Sequence, residues 1–269
     1  MTSSELPLWR CERSQEHWTR LRGDLDDLDC LRAGAEASDG VIHLAFGHDF
    51  MAFEDAIAQD GRAAEAIGSA LRGSGKAFVF TSGTPFVPGR PSTEADSGLI
   101  DGPAGGRARN AQSVIDLSKH GVRSAVVRLP RSVHSPEGRY GFAGMLIAAA
   151  QRSGVSAYVG DGTQRWPAVH CVDAARLYRL SLEHATPGTV VHAVADEGDT
   201  MRAIAEVIGR RLGIPTEAAS AEQFGFLGTI FGLDQPASSV TTRERFDWHP
   251  THPGLLDNLA TGTYPPAAP

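Results

Sequence analysis

The chain has 269 residues, of which 41% are hydrophobic, and carries a formal net charge of −7. That length suits one large α/β domain or a domain with a smaller lobe, and no apolar run approaches the ~18 residues of a membrane span. The basic residues form no single stripe, which argues against a nucleic-acid partner, and Cys11, Cys30 and Cys171 are too widely spaced for a metal-ligand pair or a disulfide framework. The N-terminus lacks the apolar core of a signal peptide, so the expectation is a cytoplasmic protein with no membrane partner and no metal site.

Taken in chain order, an acidic turn, Gly23-Asp24-Leu25, leads into a short helical pattern at Leu28, Leu31 and Ala35, then a buried strand at residues 41–45. Residues 53–71 read as a helix with Phe53, Ile57, Ala64, Ile67 and Leu71 on one face. Residues 77–81 are a short apolar strand ended by Ser82-Gly83. Residues 83–106, rich in Gly, Pro, Ser and Asp, form a long loop of the kind that is usually functional or mobile. A helix over 107–120 is closed by Gly121, and a strand over 124–129 is stopped by Pro130. Helices follow at 142–152, 172–184 and 201–212, with strands at 157–159 and 189–195. From Thr216 onward the pattern is irregular to weakly helical. The alternation predicts a parallel sheet flanked by helices, with a core over 1–155 and a mixed lobe over 156–269 that returns some elements to the core.

Six short motifs now stand in order: "GDLDD" (23–27), "DGVIHLAF" (39–46), "FVFTSGT" (78–84), "VVRLPRSVH" (126–134), "YVGDGTQRWPAVHCVDAARLY" (158–178) and "VIGRRLGIP" (207–215). Over roughly residues 20–260 this series resembles the NAD(P)-dependent epimerase/dehydratase proteins, the extended and atypical branch of the short-chain dehydrogenase/reductases. The resemblance implies a Rossmann-like doubly wound parallel sheet with a small C-terminal substrate-binding lobe, NAD or NADP as cofactor, a small carbonyl or sugar-like substrate, and a homodimer.

It also implies site residues. Asp24 and Leu25 would lie beside the adenine, although Asp24 also reads as a helix N-cap. Ala45 and Phe46 would pass the dinucleotide, against the plain reading of a buried strand, and His43 in the same strand reads as structural. Thr81 would border the cofactor, and Ser82 or Thr84 would hydrogen-bond the substrate oxygen at the carboxyl edge of the sheet; the plain alternative is a turn serine. Pro130 and Val133 would border the nicotinamide. Arg165 could clamp an anion and Trp166 stack on a ring, with His170 beside them, although a surface loop held by Trp166 is the plainer reading of Arg165. Asp173 reads as an N-cap.

Two features of the family are missing from the expected places. Its Tyr-x-x-x-Lys pair, aligned by counting back from Gly121, falls on Arg107 and Ala111; no Tyr occurs before Tyr140, and Lys119 is at the wrong end of the helix. Arg107 could stabilise an oxyanion but not donate a proton, because its guanidinium stays charged. Residues 1–22 contain no glycine, so the glycine loop that holds the pyrophosphate on a helix N-terminus is expected to be absent, together with the first βα unit. The expectation is a chain with weak dinucleotide binding and impaired hydride transfer. The alternative is a non-catalytic dinucleotide- or metabolite-binding relative.

Overall fold

The computed structural model describes residues 21–47, 52–98, 105–225 and 227–266. Cys11 and nearly all of the glycine-free segment 1–22 therefore lie outside the described residues. The first half runs α1 (Leu28–Ala37), β1 (Gly40–His43), α2 (Phe53–Ala70), β2 (Ala77–Gly83), α3 (Gly105–Asp116), a 3-10 turn (Leu117–His120) and β3 (Arg123–Leu129). The second half runs β4 (Ser132–His134), α4 (Phe142–Ser153), β5 (Ser156–Val159), β6 (Arg165–His170), α5 (Cys171–His184), β7 (Thr189–His192), β8 (Asp196–Thr200), α6 (Met201–Leu212), β9 (Thr216–Ala219), α7 (Leu227–Phe231), α8 (Val240–Phe246) and α9 (Leu255–Thr261).

The main sheet has the order β1-β2-β3-β7, and every pairing in it is parallel. Among the described residues β1 is an outer strand, paired only with β2. Alternation along β2 sends Phe78 and Phe80 to one face, where they pack with Ala64, Ile67 and Val114 from α2 and α3. Val79 points the opposite way, into a cluster with Ala174, Leu177 and Tyr178 from α5. The sheet is thus covered on both faces, as the near-continuous apolar strands require. The α2–α3 contact is close because glycines line it. A Cβ on Gly106 would sit 2.4 Å from Ile57 Cγ2, and one on Gly68 2.5 Å from Leu117 Cδ1.

Several local readings are corrected. The N-cap of α1 is Asp27, whose carboxylate accepts from Cys30 N–H; Asp24 instead closes the turn before it by accepting from Asp26 N–H at 2.9 Å. The N-cap of α5 is His170, accepting from Val172 N–H, which places Asp173 inside the first turn. β1 ends at His43, so Ala45 and Phe46 lie just beyond the strand, and β7 ends at His192. Residues 216–219 are a strand, not a helical tail, paired in parallel with β5 at Ser156↔Thr216.

The lobe carries its own core of Tyr140, Leu146, Ile147, Trp166, Met201, Ile204, Ile208, Phe231, Leu255 and Leu259. Its small sheet has the order β4-β6-β8, with β6–β8 antiparallel and irregular between Trp166 and Ala168. Pro167 lies at that irregularity, where a residue without an N–H is tolerated. The lobe also fastens the loop after β2. Ser92 N–H donates to Pro236 O and Ser238 N–H to Ser92 O, while the Glu94 carboxylate accepts from Thr242 N and Oγ1. Arg90 pairs with Asp96, and Arg128 Nη1 donates to Asp96 O. Of the long loop expected at 83–106, the described residues 84–98 are held by these contacts to β3 and to the segment around 236–242. Among the described residues no helix is long and apolar enough to cross a membrane.

Candidate active site

The carboxyl ends of β1, β2 and β3 meet along one edge, where open α/β sheets bind ligands. In the β1–β2–β3 register, His43 lies opposite Phe80, and Thr81, Ser82 and Gly83 lie opposite Val127, Arg128 and Leu129. This brings together Phe46, Thr81, Ser82, Thr84 and Arg107. Thr81 Oγ1 donates to His43 O at 2.7 Å, which leaves Tyr178 Oη, 2.8 Å away, to donate to Thr81 Oγ1. Arg107 Nη2 donates to Thr81 O at 3.2 Å, and its guanidinium carbon lies 3.9 Å from the centre of the Phe46 ring. Ser82 and Thr84 are both buried, and Thr84 N–H is taken by Leu129 O.

A buried polar network supports this edge from below. His43 Nε2 lies 2.9 Å from Asp60 Oδ1, and Asn110 Nδ2 donates both to Asp60 Oδ2 and to Ile57 O. His43 is thus a structural side chain, as its place inside a strand suggested. Burial lowers the Arg107 pKa, an effect opposed by the Asp60 and Tyr178 charges. Burial pushes the Tyr178 phenol up to about 12, offset in part by the Thr81 hydrogen bond and Arg107. At neutral pH it is a protonated donor.

Tyr178 was not singled out from the sequence, although it stood in a quoted motif. Its spacing from Ala174 and Leu177 puts the three on one face of α5, against the sheet. That spacing was the available signal. Tyr140, the first tyrosine of the chain, is buried in the lobe and donates to Asn258 O and Thr263 O. Ala111 is buried in the α2–α3 cluster and offers no polar atom from its side chain.

Beside the outer strand lies a cavity of about 480 Å³, lined by Asp24, Leu25, Cys30, Gly40, Ile42 and Ala45 among others. Three residues expected at the adenine or dinucleotide thus share one wall. Phe46 lies on the Arg107 side.

Farther along the edge, Pro130 is buried, Val133 sits in β4, and between them stands Arg131, which the sequence reading passed over. Arg131 is 9% exposed; Nη2 donates to Gln235 Oε1 at 2.8 Å, and Gln235 Nε2 donates to Thr84 O at 2.6 Å. Its Nε and Nη1 are buried with no hydrogen-bond partner among the described residues. Its guanidinium lies 5.2 Å from the Trp166 ring centre and 5.9 Å from that of Phe142. Burial lowers its pKa to about 10, with no neighbouring carboxylate acting against it. Burying a charge costs several kcal/mol, whereas cation–π contacts return about 0.5–2 kcal/mol.

The two residues expected to touch substrate from the lobe are placed differently. Arg165 forks onto Asp234, with Nε to Oδ1 at 3.0 Å and Nη2 to Oδ2 at 2.8 Å, and so fastens the segment that carries Gln235. Trp166 has no exposed surface, since its ring packs on Phe231 and faces Arg131. It is a wall under the guanidinium, and the expectation of an open stacking face for a substrate ring is corrected: β6 turns the indole into the lobe core.

His170, Asp173 and His252 approach one another closely enough to be compared with a metal site. The His170 and His252 rings are stacked at 4.4 Å and 9° between planes, so their in-plane lone pairs run side by side and do not converge. Asp173 accepts from Thr251 N, His252 N and His252 Nδ1, which fastens the chain after α8.

The comparisons agree with this architecture. The family model of the NAD dependent epimerase/dehydratase family matches residues 5–194. An uncharacterized protein of Schizosaccharomyces pombe is 40% identical over 264 residues, covering 94% of this chain and 89% of that protein. One of Saccharomyces cerevisiae is 41% identical over 244 residues, covering 89% and 81%. Among solved structures, UDP-glucose 4-epimerase of Thermotoga maritima with UDP-glucose superposes with a TM-score of 0.71 at 16% identity, covering 89% of this chain and 81% of that one. DesIV, a dTDP-glucose 4,6-dehydratase of Streptomyces venezuelae with NAD and TYD bound, gives 0.73 at 16% identity, covering 88% and 76%. At those identities the superpositions establish the fold, and the family match establishes kinship. The chain belongs to the NAD dependent epimerase/dehydratase family.

Proposed function

We propose that the chain is an NAD(P)-dependent oxidoreductase of the epimerase/dehydratase kind, acting on a small carbonyl or sugar-like substrate with reduced hydride-transfer capacity. The observation that carries this reading is the carboxyl-edge assembly of Phe46, Thr81, Ser82 and Arg107 beside the cavity walled by Asp24, Leu25 and Ala45. The cavity suits the adenine end of a dinucleotide, where Asp24 would accept from the amino group. Among the described residues no glycine turn leads from a strand into a helix at the outer edge of the sheet, and weak binding is proposed. When bound, the dinucleotide supplies the hydride. Around it, Ser82 would orient the substrate oxygen, Arg107 would stabilise negative charge on it, and Pro130 and Val133 would border the nicotinamide.

Arg107 is also the observation behind a second reading, a non-catalytic dinucleotide- or metabolite-binding relative. A guanidinium stands where the family carries its tyrosine, and it cannot serve as the proton donor. Acid/base help of that kind is worth ~10²–10⁴-fold. The discriminating experiment is NADH and NADPH oxidation over a panel of carbonyl compounds, with calorimetric titration of each dinucleotide. Slow turnover abolished by Ser82→Ala supports the enzyme; measurable binding with no turnover supports the second reading. Sub-micromolar dinucleotide affinity would refute the proposal of weak binding.

A further inference from the structure

We infer that Arg131 is the anchor of an oxyanion subsite, and that the molecule bound at the carboxyl edge carries a carboxylate or phosphate group. This deepens the oxidoreductase reading by naming a substrate class, and rests on that reading for the identity of the anion as substrate.

The first observation is what the described residues leave undone. The guanidinium of Arg131 is enclosed, and its one hydrogen bond goes to the neutral amide of Gln235. Nε and Nη1 have no partner among the described residues. Nε–H points toward the Nη2 side and Nη1 lies on the Cδ side, so each calls for an acceptor oxygen of its own, and a carboxylate or phosphate oxygen is the acceptor that also answers the buried charge. Trp166 Nε1, in the ring that faces the guanidinium, is likewise buried with no partner. The unused groups are all donors, and an anion supplies only acceptors.

The second observation is position. Arg131 follows β3 at the edge where Thr81, Ser82 and Thr84 end β2, and it is connected through Gln235 to Thr84 O. Its surroundings are also built to hold it still. Gln235 and Asp234 are tied to β6 by Gln235 N–H to Arg165 O and by the Arg165–Asp234 fork. A surface arginine seeking a chance counter-ion needs no such frame. The other arginines at this edge differ: buried Arg128 has Nη1 on Asp96 O at 2.7 Å, and half-buried Arg107 on α3 has Nη2 on Thr81 O.

A ligand-binding charge and a structural charge have opposite signatures on removal. Calorimetric titration of the full chain at low ionic strength, without dinucleotide, would use phenyl phosphate, benzoate and, as the neutral control, benzyl alcohol. Wild type is expected to bind at least one anion and not the alcohol; which anion binds separates a phosphate from a carboxylate substrate. Arg131→Met is expected to weaken that binding at least tenfold and to raise the melting temperature by about 2–4 °C. Should the Met variant fail to fold, Arg131→Lys decides by binding: it keeps the charge and loses the Nε and Nη1 donors, so weakened affinity supports the subsite. Failure of wild type to bind either anion, or unchanged anion affinity in the variant, overturns the inference. Because no hydride acceptor or donor is present, those outcomes leave the oxidoreductase reading standing. Conversely, absence of any dinucleotide oxidation would leave the anion binding intact.

Discussion

Two halves of the carboxyl edge treat buried polar groups in opposite ways. On the α2–α3 side, His43, Asp60, Asn110, Thr81 and Tyr178 interlock by hydrogen bonds. On the β4–β6 side, Arg131 Nε and Nη1, Trp166 Nε1 and His134 Nε2 are buried with no partner among the described residues. A satisfied network fixes geometry and is costly to break, whereas unsatisfied donors are a standing cost that a ligand can relieve. The first half therefore holds Arg107 in place, and the second carries the donors that the inferred anion would satisfy.

The largest expected effect comes from breaking the scaffold. Asp60→Ala leaves the His43 ring and the Asn110 amide without their shared carboxylate in a dry interior, and is expected to lower stability by roughly 3–5 kcal/mol. The denaturant midpoint measures this, and a loss below ~1 kcal/mol would mean that the network is ornamental.

Next comes pH, which acts on the other half. Burial holds the fully buried His134 at a pKa of about 4, and His192, buried beside Arg128, at about 4 as well. Between 6.5, the ordinary value for histidine, and about 4, the unfolded chain takes up protons that the folded chain refuses. The stabilisation is complete above that window and drains away as pH falls through it, by about 3 kcal/mol for each histidine. Urea midpoints at successive pH values would show the slope. His134→Asn should flatten it, and an unchanged slope in that variant would place the effect elsewhere.

The smallest effect sharpens the contrast at a single hydroxyl. Tyr178→Phe deletes the bond to Thr81 Oγ1 while Thr81 keeps its bond to His43 O, so a loss of about 1 kcal/mol is expected, with little change in anion affinity. A large drop in NAD(P)H oxidation in the same variant would instead make Tyr178 part of the chemistry.

How legible these halves were in the sequence follows from what local pattern can encode. The helices with strong apolar periodicity were readable almost to the residue, and α6 falls on the expected 201–212. So were the buried strands β2 and β3, whose apolar runs need no partner to be recognised. β6 escaped because Arg165 and Pro167 interrupt its pattern, and β9 because Thr-Glu-Ala-Ala acquires strand character only from pairing with β5. Arg107 was found through a family alignment. Arg131 was not, because a buried arginine looks the same in sequence as an exposed one; only packing by Trp166, Phe142 and Gln235 distinguishes it.

The stitching of residues 84–98 to the segment around 236–242 has an evolutionary consequence. Glu94 and Thr242 are 148 positions apart, yet one carboxylate oxygen serves both the backbone N–H and the hydroxyl at the start of α8. Ser92 and Ser238 are joined in the same way through main-chain atoms. A change at one of these sites alters the selection acting on its distant partner, so the two segments should drift together across relatives. Chimaeras that graft the C-terminal portion of one family member onto the sheet of another would separate co-adapted halves of a single clasp, and would be rescued by transferring residues 84–98 along with it.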